Sequence, residues 1–169
     1  MIRTRTAVPA AALLGGVLAL SPGCVALHKG DLYRPELDQV FVAYFDNATF
    51  YRDLQFQLTE QVVNEIRSSP GLRLSSKEDA EVVLTGTLLD VQQRVLAEDS
   101  SQNPELTQVT LTVEARLTDS RSGEVLKSKR LSEWGDFSST ETSQDLRYAE
   151  TQAITLLARD IVRLFEEDF

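Results

Sequence analysis

Hydrophobic and polar residues alternate most regularly between Gln108 and Asp119, which is the period of a half-buried β-strand. One side of this segment carries Val109, Leu111, Val113, Ala115 and Leu117, and the other carries Thr110, Thr112, Glu114, Arg116 and Thr118. The residues from Asp119 to Gly123 have the composition of a hairpin turn. A returning strand is therefore predicted from Val125 to Trp134, followed by a polar connection from Gly135 to Glu141.

Three further segments favour strands. Gln39–Phe45 is almost entirely apolar, which is typical of an inner strand covered on both faces. Leu72–Leu74 predicts a short strand. The segment Glu81–Leu96 predicts a strand that greatly exceeds the usual length of about 5–6 residues. We expect this strand either to bend at Gly86 or to project beyond the sheet. A polar, acidic loop is expected from Ala97 to Leu106.

Two segments have helical spacing. In Arg52–Ser68 the apolar residues recur every four positions, and Ser69-Pro70-Gly71 ends the pattern. A second helix is predicted from Ser143 to about Glu166. Thr142 and Asp145 form a capping-box signature before its apolar stripe.

The predicted order is β-α-β-β-β-α. Two amphipathic helices and a largely antiparallel sheet indicate an α+β two-layer sandwich, with two helices on one face of a four-stranded mixed sheet. The strands before and after the first helix should be parallel, joined by a right-handed crossover. This domain is expected to span residues 39–169.

The N-terminal residues have the features of a secretory signal peptide. Residues 1–23 contain Arg3, Arg5 and no acid, and their apolar run from Ala7 to Leu20 is too short to span a bilayer comfortably. The following Ser21-Pro22-Gly23-Cys24 resembles a bacterial lipobox, although Ser21 stands where leucine is usual.

The lipobox resemblance implies that Cys24 becomes the lipidated first residue of the mature protein. Val25, rather than aspartate, at the next position implies sorting to the outer membrane. Residues 24–38 have no clear period and are interpreted as a tether, with a flexible reach on the order of 20 Å.

Composition excludes several classes of site. The chain has a single Cys and a single His, so it can form neither an internal disulfide nor the usual Cys/His zinc site. Cys24 is assigned to lipid and His28 to the tether, which leaves no Cys/His or Ser/His pair for nucleophilic catalysis. We therefore expect no enzyme activity, cofactor or metal site.

Charge also limits the partners. The net charge is −9, and loss of Arg3 and Arg5 with the signal peptide lowers it to −11. Such a domain is not expected to bind nucleic acid, nor to adhere to an anionic membrane by charge alone.

Several motifs in the predicted domain together resemble the LptE family of lipopolysaccharide-assembly lipoproteins. A hydrophobic strand ending in Asp46-Asn47 is followed by Leu58-Thr59-Glu60 in the helix; the other motifs are Ala80–Leu88, Val113–Asp119 and Gly123–Leu126. The resemblance implies an outer-membrane lipoprotein on the periplasmic face. Such a protein plugs the LptD β-barrel, assists its assembly and contacts lipopolysaccharide.

Two other classes share parts of this pattern. One is a regulatory lipoprotein similar to LpoB or to the N-terminal domain of TolB, and the other is a scaffold lipoprotein of a secretion apparatus. Co-purification distinguishes them, since the first class would retain a peptidoglycan synthase and an LptE-like protein would retain an integral β-barrel.

The only dense basic stretch is Lys127, Lys129 and Arg130, with Arg94 on the long strand before it. Alternation places Lys127 and Lys129 on one face and Arg130 on the other. These residues are candidates for contact with lipopolysaccharide phosphates. The alternative is that the lysines protect an exposed sheet edge against pairing with another chain.

Overall fold

The computed structural model describes residues 38–141 and 145–166. The elements are β1 (Gln39–Val42), β2 (Asp46–Asn47), α1 (Leu54–Ser68), β3 (Arg73–Leu74), β4 (Val82–Glu98), β5 (Pro104–Asp119), β6 (Val125–Ser138) and α2 (Leu146–Arg163). The signal peptide at 1–23, Cys24, His28, and Thr142 of the predicted capping box lie outside the described residues.

The sheet has six strands rather than the predicted four. Its order is β3-β1-β4-β5-β6, and β2 pairs with β4. Of the two additional strands, β3 lies within the short strand predicted at Leu72–Leu74, which the four-stranded sheet did not include. The other, β2, has only two residues and is too short for a hydrophobic period to reveal. β1 pairs in parallel with β3 and β4, as the prediction of parallel strands around the first helix requires. The β4–β5 and β5–β6 pairs are antiparallel.

The core forms on one face of this sheet. Residues of β5 from Val109 to Leu117 at every second position are at most 1% exposed, and register aligns the four from Leu111 to Leu117 with buried residues of β4. The apolar stripes of α1 and α2 join the same hydrophobic cluster. β1 lies between two strands, but only Val40 of its residues is fully buried, so the expectation that both faces are covered is wrong.

Two predicted loops are shorter than expected. Residues 97–106 were expected to form a loop, but β4 continues to Glu98 and β5 begins at Pro104, so only the turn between them is irregular. β6 likewise continues past Trp134 to Ser138, and its Phe137 packs against the core. Polar composition suggested loops here because these strand ends are solvated and need few apolar residues.

The long strand β4 keeps its pairing with β5 but has an irregular register. Gly86 pairs regularly with Ala115, and a register shift lies between Leu88 and Asp90. From Gln92 to Glu98 every side chain is exposed. The end of the β4–β5 pair therefore projects as a hairpin that contributes little to the core.

The N-terminal half of α2 lies very close to β6. Gly135 is buried on β6, and a Cβ atom there would overlap the carbonyl oxygen of Ala149 and lie 2.8 Å from Cβ of Gln152. Asp145 is the N-cap, since its side chain accepts a hydrogen bond from the backbone N–H of Tyr148 at 3.0 Å. Glycine on the strand and a capped helix start together fix this close packing.

Candidate functional site

The four predicted basic residues do not form one cluster. Register places Lys127 and Lys129 opposite the buried Leu117 and Ala115, on the face that carries the helices. Arg130 pairs with Glu114 on the opposite face, so the predicted alternation is confirmed.

Lys127 has a structural contact. Its Nζ donates a hydrogen bond to the backbone oxygen of Leu164 at 3.3 Å. This carbonyl belongs to the last turn of α2, where a positive charge is favourable. The location of Lys127 on the terminal strand also agrees with edge protection.

Arg94 lies far from the other basic residues. It pairs with Gln108 on β5, whereas Arg130 pairs with Glu114 six residues further along the same strand. At about 3.4 Å per residue along the strand, Arg94 and Arg130 are roughly 20 Å apart. Arg94 instead lines a shallow cavity of about 490 Å³ with Gln92, Gln108 and Thr110.

The face of the sheet away from the core is polar. Across β4, β5 and β6 it carries threonine, serine and glutamine side chains, and its charged residues are the arginines Arg94, Arg116 and Arg130 and the acids Asp90, Glu114 and Asp136. Thr112 and Ser132 share a hydroxyl hydrogen bond of 2.9 Å across this face. Trp134, which is 50% exposed, is its one aromatic residue on β5 and β6. An antiparallel sheet commonly leaves one face solvated in this way, and here that face offers hydrogen-bonding groups to a partner.

Two acidic side chains point toward the core side. Desolvation raises the pKa of Glu133 on β6, and a hydrogen bond and the charge of Asp160 on α2 raise it further. Asp160 is also paired with Arg163 at 2.8 Å. On α2, burial raises the pKa of Glu150, which is 9% exposed.

An exposed aromatic patch lies between β1 and the first turn of α1. We define the aromatic patch as Tyr44, Phe50 and Phe56, whose exposed fractions are 78%, 103% and 52%. The rings of Tyr44 and Phe56 are in edge-to-face contact, with centroids 6.0 Å apart. Phe50 is fully exposed in the loop between β2 and α1 and does not pack against either of these rings. Three exposed aromatic side chains within residues 44–56 nevertheless make this end of the domain a candidate interaction surface.

Asn47 holds the loop between β2 and α1, which carries Phe50 of the aromatic patch. Its Oδ1 accepts hydrogen bonds from the backbone N–H and the hydroxyl of Thr49, both at 2.8 Å. Its Nδ2 donates to the backbone oxygen of Tyr51 at 2.6 Å and to Oε1 of Gln55 at 2.8 Å. One half-buried side chain thus holds both ends of the loop.

Two hydrogen bonds of Thr59 hold the chain next to Tyr44. The Thr59 hydroxyl on α1 accepts a hydrogen bond from the backbone N–H of Phe45 at 3.1 Å and donates to the Gln55 carbonyl at 2.7 Å. The ring of Phe45 occupies the space beside Gly86 where a Cβ would otherwise stand. The chain on either side of Tyr44 is therefore attached to both the helix and the sheet.

Neither the aromatic patch nor the acids Glu133 and Glu150 were among the residues predicted from the sequence. Glu150 lies four residues after Leu146 and three before Ala153, so it occupies the apolar stripe of α2, and that position was a usable signal. The patch left no comparable signal. Tyr44 and Phe56 belong to segments that were predicted as an inner strand and an amphipathic helix, and only the tertiary structure shows that their rings are exposed.

Residues 38–141 and 145–166 contain neither a metal-binding group nor a membrane-spanning helix. They contain no group of three or more His, Cys, Asp or Glu side chains placed to hold a metal ion. No helix in the same ranges is long and apolar enough to cross a membrane.

Comparison with known families gives one match over most of the chain. The family model LptE, described as lipopolysaccharide-assembly, matches residues 37–165. No curated protein matches the chain.

Solved structures share the fold at low sequence identity. A hypothetical protein from Chlamydia trachomatis has a TM-score of 0.55 and 17% identity, covering 76% of this chain and 95% of its own. A protein from Xanthomonas campestris has a TM-score of 0.54 and 20% identity, covering 73% and 81%. PelC from Paraburkholderia phytofirmans, solved as a dodecamer, has a TM-score of 0.50 and 16% identity, covering 78% and 89%.

Proposed function

Because this chain belongs to the LptE family of lipopolysaccharide-assembly proteins, we propose that it plugs the LptD β-barrel of the outer membrane and helps it to assemble. The single observation that carries this proposal is the family match over residues 37–165, which includes all the described elements. The same match favours this function over a regulator similar to LpoB or TolB and over a secretion scaffold.

The family is non-enzymatic, which confirms the prediction that the protein is not an enzyme. Its function must therefore depend on binding. The relevant features are the surfaces that the fold leaves accessible, and the means by which the protein stays at the membrane.

We assign the membrane attachment to Cys24. In this proposal residues 1–23 are removed as a signal peptide, Cys24 is acylated, and residues 24–38 tether the domain of residues 39–169 to the periplasmic face of the outer membrane. A buried methylene contributes about 0.8 kcal/mol, and two acyl chains already anchor stably. The full chain has a net charge of −9, and loss of Arg3 and Arg5 with the signal peptide lowers it to −11. Because an anionic membrane surface does not attract such a chain, attachment requires the lipid.

The polar sheet face suits the inside of a barrel. The lumen of an outer-membrane barrel is lined by polar side chains. The threonine, serine and glutamine residues of β4, β5 and β6 can exchange hydrogen bonds with such a wall at little desolvation cost. In this proposal Arg94 and Arg130 contact lipopolysaccharide phosphates from the same face, whereas Lys127 and Lys129 protect the sheet edge.

Co-purification of the native, detergent-solubilised protein tests the proposal. We expect a stable complex with a β-barrel of the LptD type in equal amounts, and reduced assembly of that barrel when this chain is depleted. Migration of the protein alone would refute the proposal. Retention of a peptidoglycan synthase in place of a barrel would instead assign the protein to the LpoB-like class.

A further inference from the structure

The aromatic patch is an interaction surface that none of the structural contacts explains. We propose that Tyr44, Phe50 and Phe56 dock into an apolar pocket of the barrel partner, and that lysine or arginine residues flank this pocket. The inference rests on the proposed function, because it names the surface by which the partner is held.

The exposed area is large enough to matter. A Phe or Tyr side chain offers about 150–250 Å² of surface. With exposed fractions of 78%, 103% and 52%, the patch presents roughly 350–580 Å². One side of a standard protein interface buries about 800 Å². Three aromatic residues could therefore supply about half of one such side, and they belong to the residue types enriched at interface centres.

The backbone that carries the patch is held in place, although the fully exposed Phe50 ring itself packs against nothing. Phe50 is fully exposed, yet it lies in the loop held by the four hydrogen bonds of the Asn47 side chain. Tyr44 and Phe56 fix each other by their edge-to-face contact. A surface ordered before binding loses little conformational entropy on docking, which favours a shaped protein pocket. Insertion into a fluid bilayer would gain nothing from this order.

The charges around the patch indicate the chemistry of the pocket. Asp46 on β2 and Asp53 at the N-cap of α1 are both exposed, and Arg52 is the one basic residue between β1 and α1. This excess of carboxylates, within a domain of strong negative charge, opposes approach to lipid phosphates. The same excess favours a protein surface that carries lysine or arginine around an apolar centre.

The patch also lies at the end of the domain opposite the chain entry. Asp38 pairs with Arg73 at 3.2 Å at the start of β1, and the turn at Asp119–Glu124 lies at the same end. Tyr44 follows the other end of β1, so the patch is roughly 15–20 Å away along the strand direction. A partner could therefore occupy the patch without displacing the tether.

The test compares serine substitutions in the full chain, co-expressed with the barrel that the wild-type chain retains. We expect Phe50→Ser and Tyr44→Ser to increase the dissociation constant of the complex about tenfold or more, as for interface hot spots. Val125→Ser is the matched control, because Val125 is 49% exposed at the opposite end of the sheet, and it should change the constant less than twofold. Asp46→Lys should weaken the complex if the pocket is flanked by basic residues.

The outcomes separate the two proposals. Failure of the wild-type chain to retain any barrel would overturn the proposed function itself. Retention of the barrel by wild type and by both aromatic variants alike would overturn only the assignment of the patch. Tighter binding by Asp46→Lys would overturn the basic pocket.

A second measurement tests whether the patch inserts into a membrane instead. The Cys24→Ala chain is mixed with vesicles of phosphatidylethanolamine and phosphatidylglycerol and examined by flotation. Flotation that disappears with Phe50→Ser would overturn the proposal in favour of lipid insertion, whereas no flotation supports a protein partner. Circular dichroism verifies that each variant remains folded, since a fully exposed ring contributes little to the core.

Discussion

Gly135→Ala should destabilise the protein strongly, although it adds only one methyl group. The new Cβ would overlap the carbonyl oxygen of Ala149, and would lie 2.8 Å from Cβ of Gln152 and 2.9 Å from the carbonyl carbon of Ala149. Favourable contacts between carbon atoms lie at about 3.5–4.0 Å. Because the obstacle is helix backbone rather than a flexible side chain, α2 must move away by about 1 Å.

The magnitude follows from what that movement disrupts. Ala149 and Ala153 of α2 are 0% exposed, so a shifted helix loses close packing along its first two turns. Overpacking of a core typically costs about 1–3 kcal/mol, and a backbone obstacle places this case near the upper end. For a domain of this size, a loss of about 2–3 kcal/mol lowers Tm by roughly 6–15 °C.

Thermal and urea unfolding of the Cys24→Ala chain, followed by circular dichroism, measures this loss. The sign of the change in unfolding free energy already distinguishes a clash from free space. Without a clash, Ala in place of Gly within a strand should stabilise by about 0.5–1 kcal/mol. Gly123→Ala is the control: no atom lies within 4 Å of its Cβ, and its φ of +73° predicts a cost of about 1–2 kcal/mol from the left-handed conformation alone. A neutral or stabilising Gly135→Ala would refute the close packing of α2 on β6.

Three further predictions address the polar contacts and the anchor. Asn47→Ala removes four hydrogen bonds and should lower the unfolding free energy by about 2–4 kcal/mol in urea titrations; Asn47→Asp, which keeps the two acceptor bonds, should lose less. Burial raises the pKa of Glu150, so the folded state binds its proton more tightly, and stability should fall as pH rises above the ordinary glutamate pKa of 4.5; Glu150→Gln should remove this slope and raise Tm at pH 7. Cys24→Ala should yield a folded protein in the soluble periplasmic fraction, and membrane retention without acylation would contradict the anchor assignment.

The long elements of this fold were predictable because each has an internal period. The five-fold alternation from Val109 to Leu117 gave the central strand β5, and the four-residue spacing of Leu54, Leu58, Val62 and Ile66 gave α1. Both patterns exist because these residues form the core. Where the strands leave the core, as in β4 beyond Val91, the period disappears and the extent of the strand cannot be read from it.

The candidate site was less predictable, since it depends on residues that are close only in the tertiary structure. The lysines and arginines were recognised as basic, but their separation requires the register of β4, β5 and β6. The sequence indicated Asn47 only as the end of the first hydrophobic strand. Its role in fixing the aromatic patch depends on contacts with Tyr51 and Gln55, which the sequence did not suggest.

The two ends of the domain differ in what they expose, and this difference agrees with the proposed function. The chain enters at Asp38, where the proposed tether requires only a firm attachment, and the pair with Arg73 provides one. The opposite end carries the aromatic patch and the projecting β4–β5 hairpin, neither of which the core needs. A free-standing domain would gain stability and solubility by replacing exposed rings with polar residues. Exposed rings beside a loop that Asn47 holds in place agree with the proposed partner that covers them, and the proposed lipid anchor at the other end would limit the search for that partner to the membrane.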